Sequence, residues 1–191
     1  MSKQDTHERD QDAQSAAAAA DDAVQREIDA TEAATLRQQA DNLIKNHVLA
    51  ATTLGLVPLP LFDLALLIGN QVAMVHGLAG LYGVPFDKLR TRAIVTSLLA
   101  GSAPVLSVIG LSSGAKLVPG IGSLFGSGGV AVTGGALTYA VGQVFVRHFS
   151  GGGDLFNVDL KAMRRLFKRK LKEGEAAVAE AQVAKDTEQT A

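Results

Sequence analysis

No cysteine and no tryptophan occur among the 191 residues of this chain. The first absence removes disulfides, cysteine-ligated metals and thiol nucleophiles together, although it leaves the compartment open. With Tyr82 and Tyr139 the only tyrosines, the aromatic belts that mark bilayer interfaces are missing too. The four histidines, His7, His47, His76 and His148, are scattered. None has a second histidine three or four residues away on a helix, so no metal site is expected. The first ten residues contain no apolar core, so no cleaved signal peptide is expected and the amino terminus should stay cytoplasmic.

Catalytic motifs are lacking as well. Gly120-Ile-Gly122-Ser-Leu-Phe-Gly126 looks like a phosphate loop, but Ser127-Gly128 follows where a Walker loop needs Lys-Ser/Thr. A dinucleotide loop would need a preceding strand and a later acid, and neither is present. A Gly-x-Ser-x-Gly spacing occurs at Gly110-Leu-Ser112-Ser-Gly114, but a nucleophile elbow also needs a preceding strand, and the pattern here predicts only helices and turns. The expectation is a protein that is not an enzyme, with no catalytic residue, cofactor or metal.

The most informative shortage is of charge. From Ala93 to Val146 the only formally charged side chain is Lys116. A helix with one face in water needs a polar stripe, and a bilayer span needs about 20 apolar residues. Residues 1–41 carry ten acidic and four basic side chains, 43–149 two and six, and 150–191 seven and eight. This divides the chain into an acidic polar tail with a helical second half (1–42), an apolar helical membrane domain (43–149), and a basic amphipathic helix with a polar tail (150–191).

Residues 1–20 are polar and alanine-rich and are read as disordered. A helical pattern with a thin stripe of Val24, Ile28, Leu36 and Leu43 follows. Four apolar helices are predicted, near 48–57, 61–81, 86–109 and 124–149. Breaks fall at Pro58 and Pro60, at Tyr82-Gly-Val-Pro85, and at Pro119-Gly120, with a bend at Pro104. Asp87 is the expected cap of the third helix, and Lys88, Arg90 and Arg92 crowd its start, the wrong end for the helix dipole. Basic residues held on the cytoplasmic side of a membrane loop supply another cause. Leu56-Val-Pro58 and Leu117-Val-Pro119 hint at a duplicated hairpin.

The fold class is therefore all-α: a membrane bundle of about four apolar helices in two hairpins, with flexible charged tails. Small residues at helical spacing, such as Gly69, Ala73 and Gly77, or Gly128, Ala131, Gly135, Thr138 and Gly142, point to helices in close contact. Val141 is expected to face lipid. A soluble bundle with a glycine-packed core is the competing architecture, and hairpins that dip in and return are intermediate.

Two groups of residues are candidate sites. Asn70, Gln71 and His76 interrupt the second apolar helix, and Asp63, Asn70 and His76 are its candidate site, since intramembrane ionisable groups are functional candidates. Their structural alternative is a capping Asp63 and an Asn70 bonded to a neighbouring helix. In the carboxy-terminal part, Phe156, Leu160, Met163, Phe167 and Leu171 fall on one helical face. Lys161, Arg164, Arg165, Lys168, Arg169, Lys170 and Lys172 occupy the rest, giving 150–172 a net charge of +5. This predicts a surface for anionic lipid or a partner, with the apolar face inserted in the bilayer. A nucleic-acid patch and an ordinary solvated helix are the alternatives.

Lys45-Asn-His-Val-Leu-Ala through Leu54-Gly-Leu-Val-Pro, Leu81-Tyr-Gly-Val-Pro-Phe86, Leu117-Val-Pro-Gly-Ile-Gly122, Thr138-Tyr-Ala-Val-Gly142 and Arg147-His-Phe149 together resemble a bacterial family. It is the uncharacterised family catalogued as domain of unknown function 697, the YcjF-like membrane proteins, over about residues 40–165. The resemblance implies a multi-pass or membrane-associated helical domain, sometimes fused to or encoded beside a GTPase. This chain has no GTPase domain, so nucleotide chemistry would belong to a partner in trans. The resulting expectation is a non-enzymatic inner-membrane protein, multi-pass with both tails cytoplasmic, that scaffolds or regulates a cytoplasmic partner such as a GTPase. Its partners would be the lipid bilayer and a second copy of itself, with no nucleic acid. A small oligomeric channel or transporter element and a soluble helical interaction module are the alternative functions.

Overall fold

A computed structural model describes residues 3–56, 63–100 and 127–189. The described residues form five helices and no strand: α1 (Lys3–Leu56), α2 (Asp63–Leu81), α3 (Lys88–Ala100), α4 (Ser127–Ser150) and α5 (Leu160–Gln189). The proline break at 58–60, the bend at Pro104, the Pro119-Gly120 turn and the repeated Leu-Val-Pro lie outside the described residues.

Both tails differ from expectation. Residues 3–20 are helical rather than disordered, and α5 runs without interruption to Gln189. Composition supplies the reason: Ala16–Ala20 is an uninterrupted run of the best helix former, and the segment after Glu175 is again rich in alanine and glutamate. Low apolar content argued against packing, but helix formation along these segments does not require it.

The chain divides into two units, 1–38 and 39–191. The first is a length of solvated helix with Val24 and Ile28 exposed and a local Gln25 Nε2 to Asp29 Oδ1 hydrogen bond of 2.8 Å. The second holds the core.

Helix ends in the second unit follow from single residues. Asp87 caps α3 by accepting the Arg90 N–H (2.8 Å), as its position predicts. Asp159 caps α5, accepting from Lys161 N (2.9 Å) and Ala162 N (3.0 Å). Helices α2 and α4 both close in Schellman turns. In α2, Val84 N bonds Ala79 O and Gly83 N bonds Gly80 O, with Gly83 at φ 65°. In α4, Gly153 N bonds His148 O and Gly152 N bonds Phe149 O, with Gly152 at φ 78°. A side chain is disfavoured at these two left-handed positions.

Helix α4 is the central element. Every position from Gly134 to Val146 is buried or half-buried, including Val141, which is fully enclosed rather than facing outward. Helices α2, α3 and α5 pack against it, as does the last part of α1. Leu43 of α1 lies on Gly77 of α2, Ile44 on Gly142 of α4, and Thr52 on Gly135. A Cβ at any of these three glycines would stand within 2.8 Å of the facing side chain, so glycine sets how closely the backbones approach. The small-residue stripe of α2 is only partly such a seam, because Gly69 has nothing within 4 Å.

The largest departure from expectation concerns α5. Met163, Phe167 and Leu171 are at most 6% exposed and belong to the core. Further along, Gly174 meets Ala136 and Tyr139, and Val178 meets Gly135, so α5 returns antiparallel along α4. The apolar face expected to enter lipid is consumed by protein. From Phe149 back to Gly135, about 20 Å of helix at 1.5 Å per residue, α4 is covered by a helix with Lys168, Arg169, Lys172, Glu173 and Glu175 exposed. Among the described residues no helix is long and apolar enough to cross a membrane.

Candidate functional site

One end of the bundle gathers the charged and exposed features. The Tyr82 and Phe149 rings lie 6.2 Å apart, which brings the end of α2 to the end of α4. The short connections that follow, 82–87 and 151–159, return as α3 and α5. Their starts meet: the Arg90 guanidinium sits 4.4 Å from the centre of the Phe156 ring, a cation–π contact. Arg164 Nη2 donates to Ser97 Oγ at 2.6 Å. The starts of α3 and α5 thus form one surface, with Lys88, Arg90, Arg92, Lys161, Arg164 and Arg165 beside three carboxylates, and Lys168, Arg169, Lys170 and Lys172 continue along α5.

Those carboxylates are engaged with backbone. Asp87 and Asp159 cap α3 and α5, and Asp154 Oδ1 accepts from Phe156 N and Asn157 N, both at 2.7 Å. The Ala162 N–H first, and then the Lys161 N–H and the charges of Arg165 and Lys161, hold the Asp159 carboxyl below its usual range. Among the described residues, the salt bridge on this surface is Lys170 to Glu173 (2.6 Å). Lys88, Arg90, Arg92, Lys161, Arg164, Arg165, Lys168 and Arg169 are exposed, and none of them enters a salt bridge among the described residues.

Apolar side chains stand among them. Leu89 is 80% exposed and Phe156 56%. Phe156 precedes α5 rather than joining its buried face, which separates it from Met163, Phe167 and Leu171. Sequence reasoning identified the basic residues of α5 and those at 88–92 but did not join them. Their union depends on the Arg90–Phe156 and Arg164–Ser97 contacts, which no spacing encodes.

The polar residues of α2 part company. Asn70 is bonded twice to His47 of α1. Its Oδ1 lies 2.9 Å from His47 Nδ1, and its Nδ2 donates to the His47 carbonyl at 3.0 Å. His76 is on an exposed face, its ring 4.4 Å from that of Phe86. The surroundings of the Asp63 side chain lie outside the described residues. Asn70 and His76 therefore do not share a path, and Asn70 serves as an interhelical clamp.

Gln71 interrupts the apolar pattern of α2 but is not among the candidate site residues. It is fully buried, and neither amide atom has a hydrogen-bond partner among the described residues. No cluster of three or more metal-ligating side chains occurs among the described residues.

Comparison with known proteins extends this picture. Residues 19–175 match the model of the family described as Domain of unknown function (DUF697). A relative from Magnetospirillum gryphiswaldense, named Magnetosome membrane protein 22, is 38% identical over 154 residues, covering 77% of this chain and 76% of its own. No solved structure matches. With most of its length matched by the family's model, this chain belongs to the DUF697 family.

Proposed function

We propose that this protein is a non-enzymatic, membrane-associated scaffold at the bacterial inner membrane. Its apolar segments enter the bilayer, and its two charged tails remain cytoplasmic, where they receive a cytoplasmic partner such as a GTPase. The observation that carries the reading is the uneven placement of charge. The described outward positions of α2, namely Ala65, Leu66, Gly69, Ala73, His76 and Gly80, include no Asp, Glu, Lys or Arg, whereas the starts of α3 and α5 bring Lys88, Arg90, Arg92, Lys161, Arg164 and Arg165 to one end. Basic residues concentrate on the cytoplasmic side of membrane proteins. The name of the Magnetospirillum relative supports a membrane location.

Along the sides of the bundle, lipid contact falls to the exposed face of α2 rather than to the face covered by α5. Where α5 covers α4, exposed Lys172, Glu173 and Glu175 would stand in hydrocarbon, at roughly 2.5–3.5 kcal/mol for each Lys or Asp-like charge at mid-depth. A channel through Asp63, Asn70 and His76 receives no support from the geometry, since Asn70 is bound to α1 and His76 faces outward.

Fractionation tests the reading. The protein should pellet with membranes and resist high-salt and alkaline carbonate washes, and in vesicles with the cytoplasmic face exposed both tails should be cut by protease. Release by carbonate would refute insertion, and protection of either tail would refute the orientation.

A further inference from the structure

We infer that the shared surface of α3 and α5 is a docking face for an anionic phospholipid bilayer, with Leu89 and Phe156 entering the membrane among headgroups bound by the surrounding arginines and lysines. This rests on the membrane location proposed above and specifies how one end of the bundle meets the lipid. The apolar face of α5 cannot serve, because Met163, Phe167 and Leu171 are buried against α4. What remains exposed is a leucine at the start of α3 and a phenylalanine in the connection before α5. The Arg90 guanidinium, 4.4 Å from the Phe156 ring centre, joins the two elements.

Charge complementarity selects the occupant. Lys88, Arg90 and Arg92 from one element and Lys161, Arg164 and Arg165 from the other are exposed and unpaired with carboxylates among the described residues. The three nearby acids face backbone N–H groups instead. Such a surface draws anionic headgroups, each nearby basic residue adding attraction that salt weakens. A phosphate-bearing nucleic acid would satisfy the same charges. It offers no reason, however, for Leu89 to stand 80% exposed between Lys88 and Arg90, whereas an apolar side chain within a basic rim suits the boundary between headgroups and acyl chains.

The absence of tryptophan makes the test direct. Full-length Leu89→Trp and Phe156→Trp proteins each carry one indole reporter. They are mixed with, or reconstituted into, bilayers of phosphatidylcholine alone or with about a third phosphatidylglycerol, a content chosen to give a strongly negative surface. Brominated acyl chains act as quencher. Both reporters should shift to the blue and be quenched in the anionic bilayers, remain water-exposed in phosphatidylcholine, and lose the response in high salt. Replacing Lys88, Arg92 and Arg165 with Gln together should reduce quenching to the phosphatidylcholine level while the helical circular dichroism is unchanged.

Reporters that stay in water on anionic bilayers, while the protein still pellets with membranes, overturn this inference and leave the membrane location standing. Failure to pellet removes both. Equal quenching in the two bilayers, or the same blue shift on adding nucleic acid without lipid, also overturns it.

Discussion

Replacing Gly142 with alanine puts one methyl group against the least yielding part of Ile44. The new Cβ would stand 2.6 Å from Ile44 Cγ1, 2.8 Å from Cδ1 and 3.1 Å from Cγ2. Carbon pairs prefer about 3.5–4.0 Å. Ile44 is 1% exposed, and a β-branched side chain on a helix keeps essentially one χ1 rotamer. Rotation therefore cannot clear Cγ1 and Cγ2 together, and α1 and α4 must part. Overpacking of this kind costs about 1–3 kcal/mol, against a propensity gain of about 1 kcal/mol on losing a helical glycine. The net is a destabilisation of about 0–2 kcal/mol. Gly69→Ala is the control: nothing lies within 4 Å, so only the gain of about 0.5–1 kcal/mol remains. The variants should melt on opposite sides of the parent, separated by several degrees, since about 1 kcal/mol moves a domain of this size by about 2–4 °C. Thermal and denaturant unfolding followed by circular dichroism reads this. In a double-mutant cycle, Ile44→Ala removes all three opposing atoms, so the pair should couple by about 1 kcal/mol or more. Stabilisation by Gly142→Ala equal to that of Gly69→Ala, or additivity with Ile44→Ala, would refute the close seam.

Further outcomes follow from other positions. Gln71→Met should raise stability by about 1–3 kcal/mol, because it removes a buried amide without partners among the described residues. A lower unfolding midpoint would mean that the amide is satisfied. Phe167→Ala should cost about 3–5 kcal/mol, as for a core phenylalanine, and should lower the midpoint in lipid-free detergent, where a merely lipid-inserted side chain would have no such effect. Asp159 has its folded pKa depressed below the ordinary 3.8, so its stabilisation is present above that value and lost as pH falls through the folded pKa. Asp159→Asn should flatten the acid limb of the stability curve, with the parent carboxyl titration followed by NMR as the check. At Gly152, φ 78°, alanine should destabilise by about 1–2 kcal/mol through the left-handed backbone alone. Equal melting temperatures would show that the turn can rearrange.

Much of the helical layout is readable from residues whose effect is local. Gly83 and the Gly151–Gly153 run mark helix ends because a left-handed residue closes each helix. Asp87 marks a start because a carboxylate there satisfies free N–H groups. The seam glycines Gly77, Gly135 and Gly142 follow from helical spacing, but Gly69 obeys the same spacing and packs against nothing. Spacing places a residue on a face and leaves open what that face meets. Val141 was misread for that reason. Its neighbours at helical spacing, Leu137, Val144 and Phe145, are apolar, a face that reads the same whether it meets lipid or protein, and only the packing of other helices on α4 makes its position interior.

The same limit governs α5, and there it changes the functional argument. An apolar face bordered by arginine and lysine has one sequence pattern whether it meets acyl chains or another helix. Burial of Met163, Phe167 and Leu171 assigns that face to folding, leaving the basic side chains to be explained separately. Helix stability does not explain them. Arg92, Arg164 and Arg165 lie in the second turns of α3 and α5, and Lys88, Arg90 and Lys161 in the first. There the helix dipole opposes positive charge by about 0.3–1 kcal/mol within the first turn, and Asp87 and Asp159 offset it only in part. Two helices that meet at one end of a bundle thus share the same locally unfavourable choice. A requirement common to both starts accounts for it, and an anionic surface beyond that end supplies one.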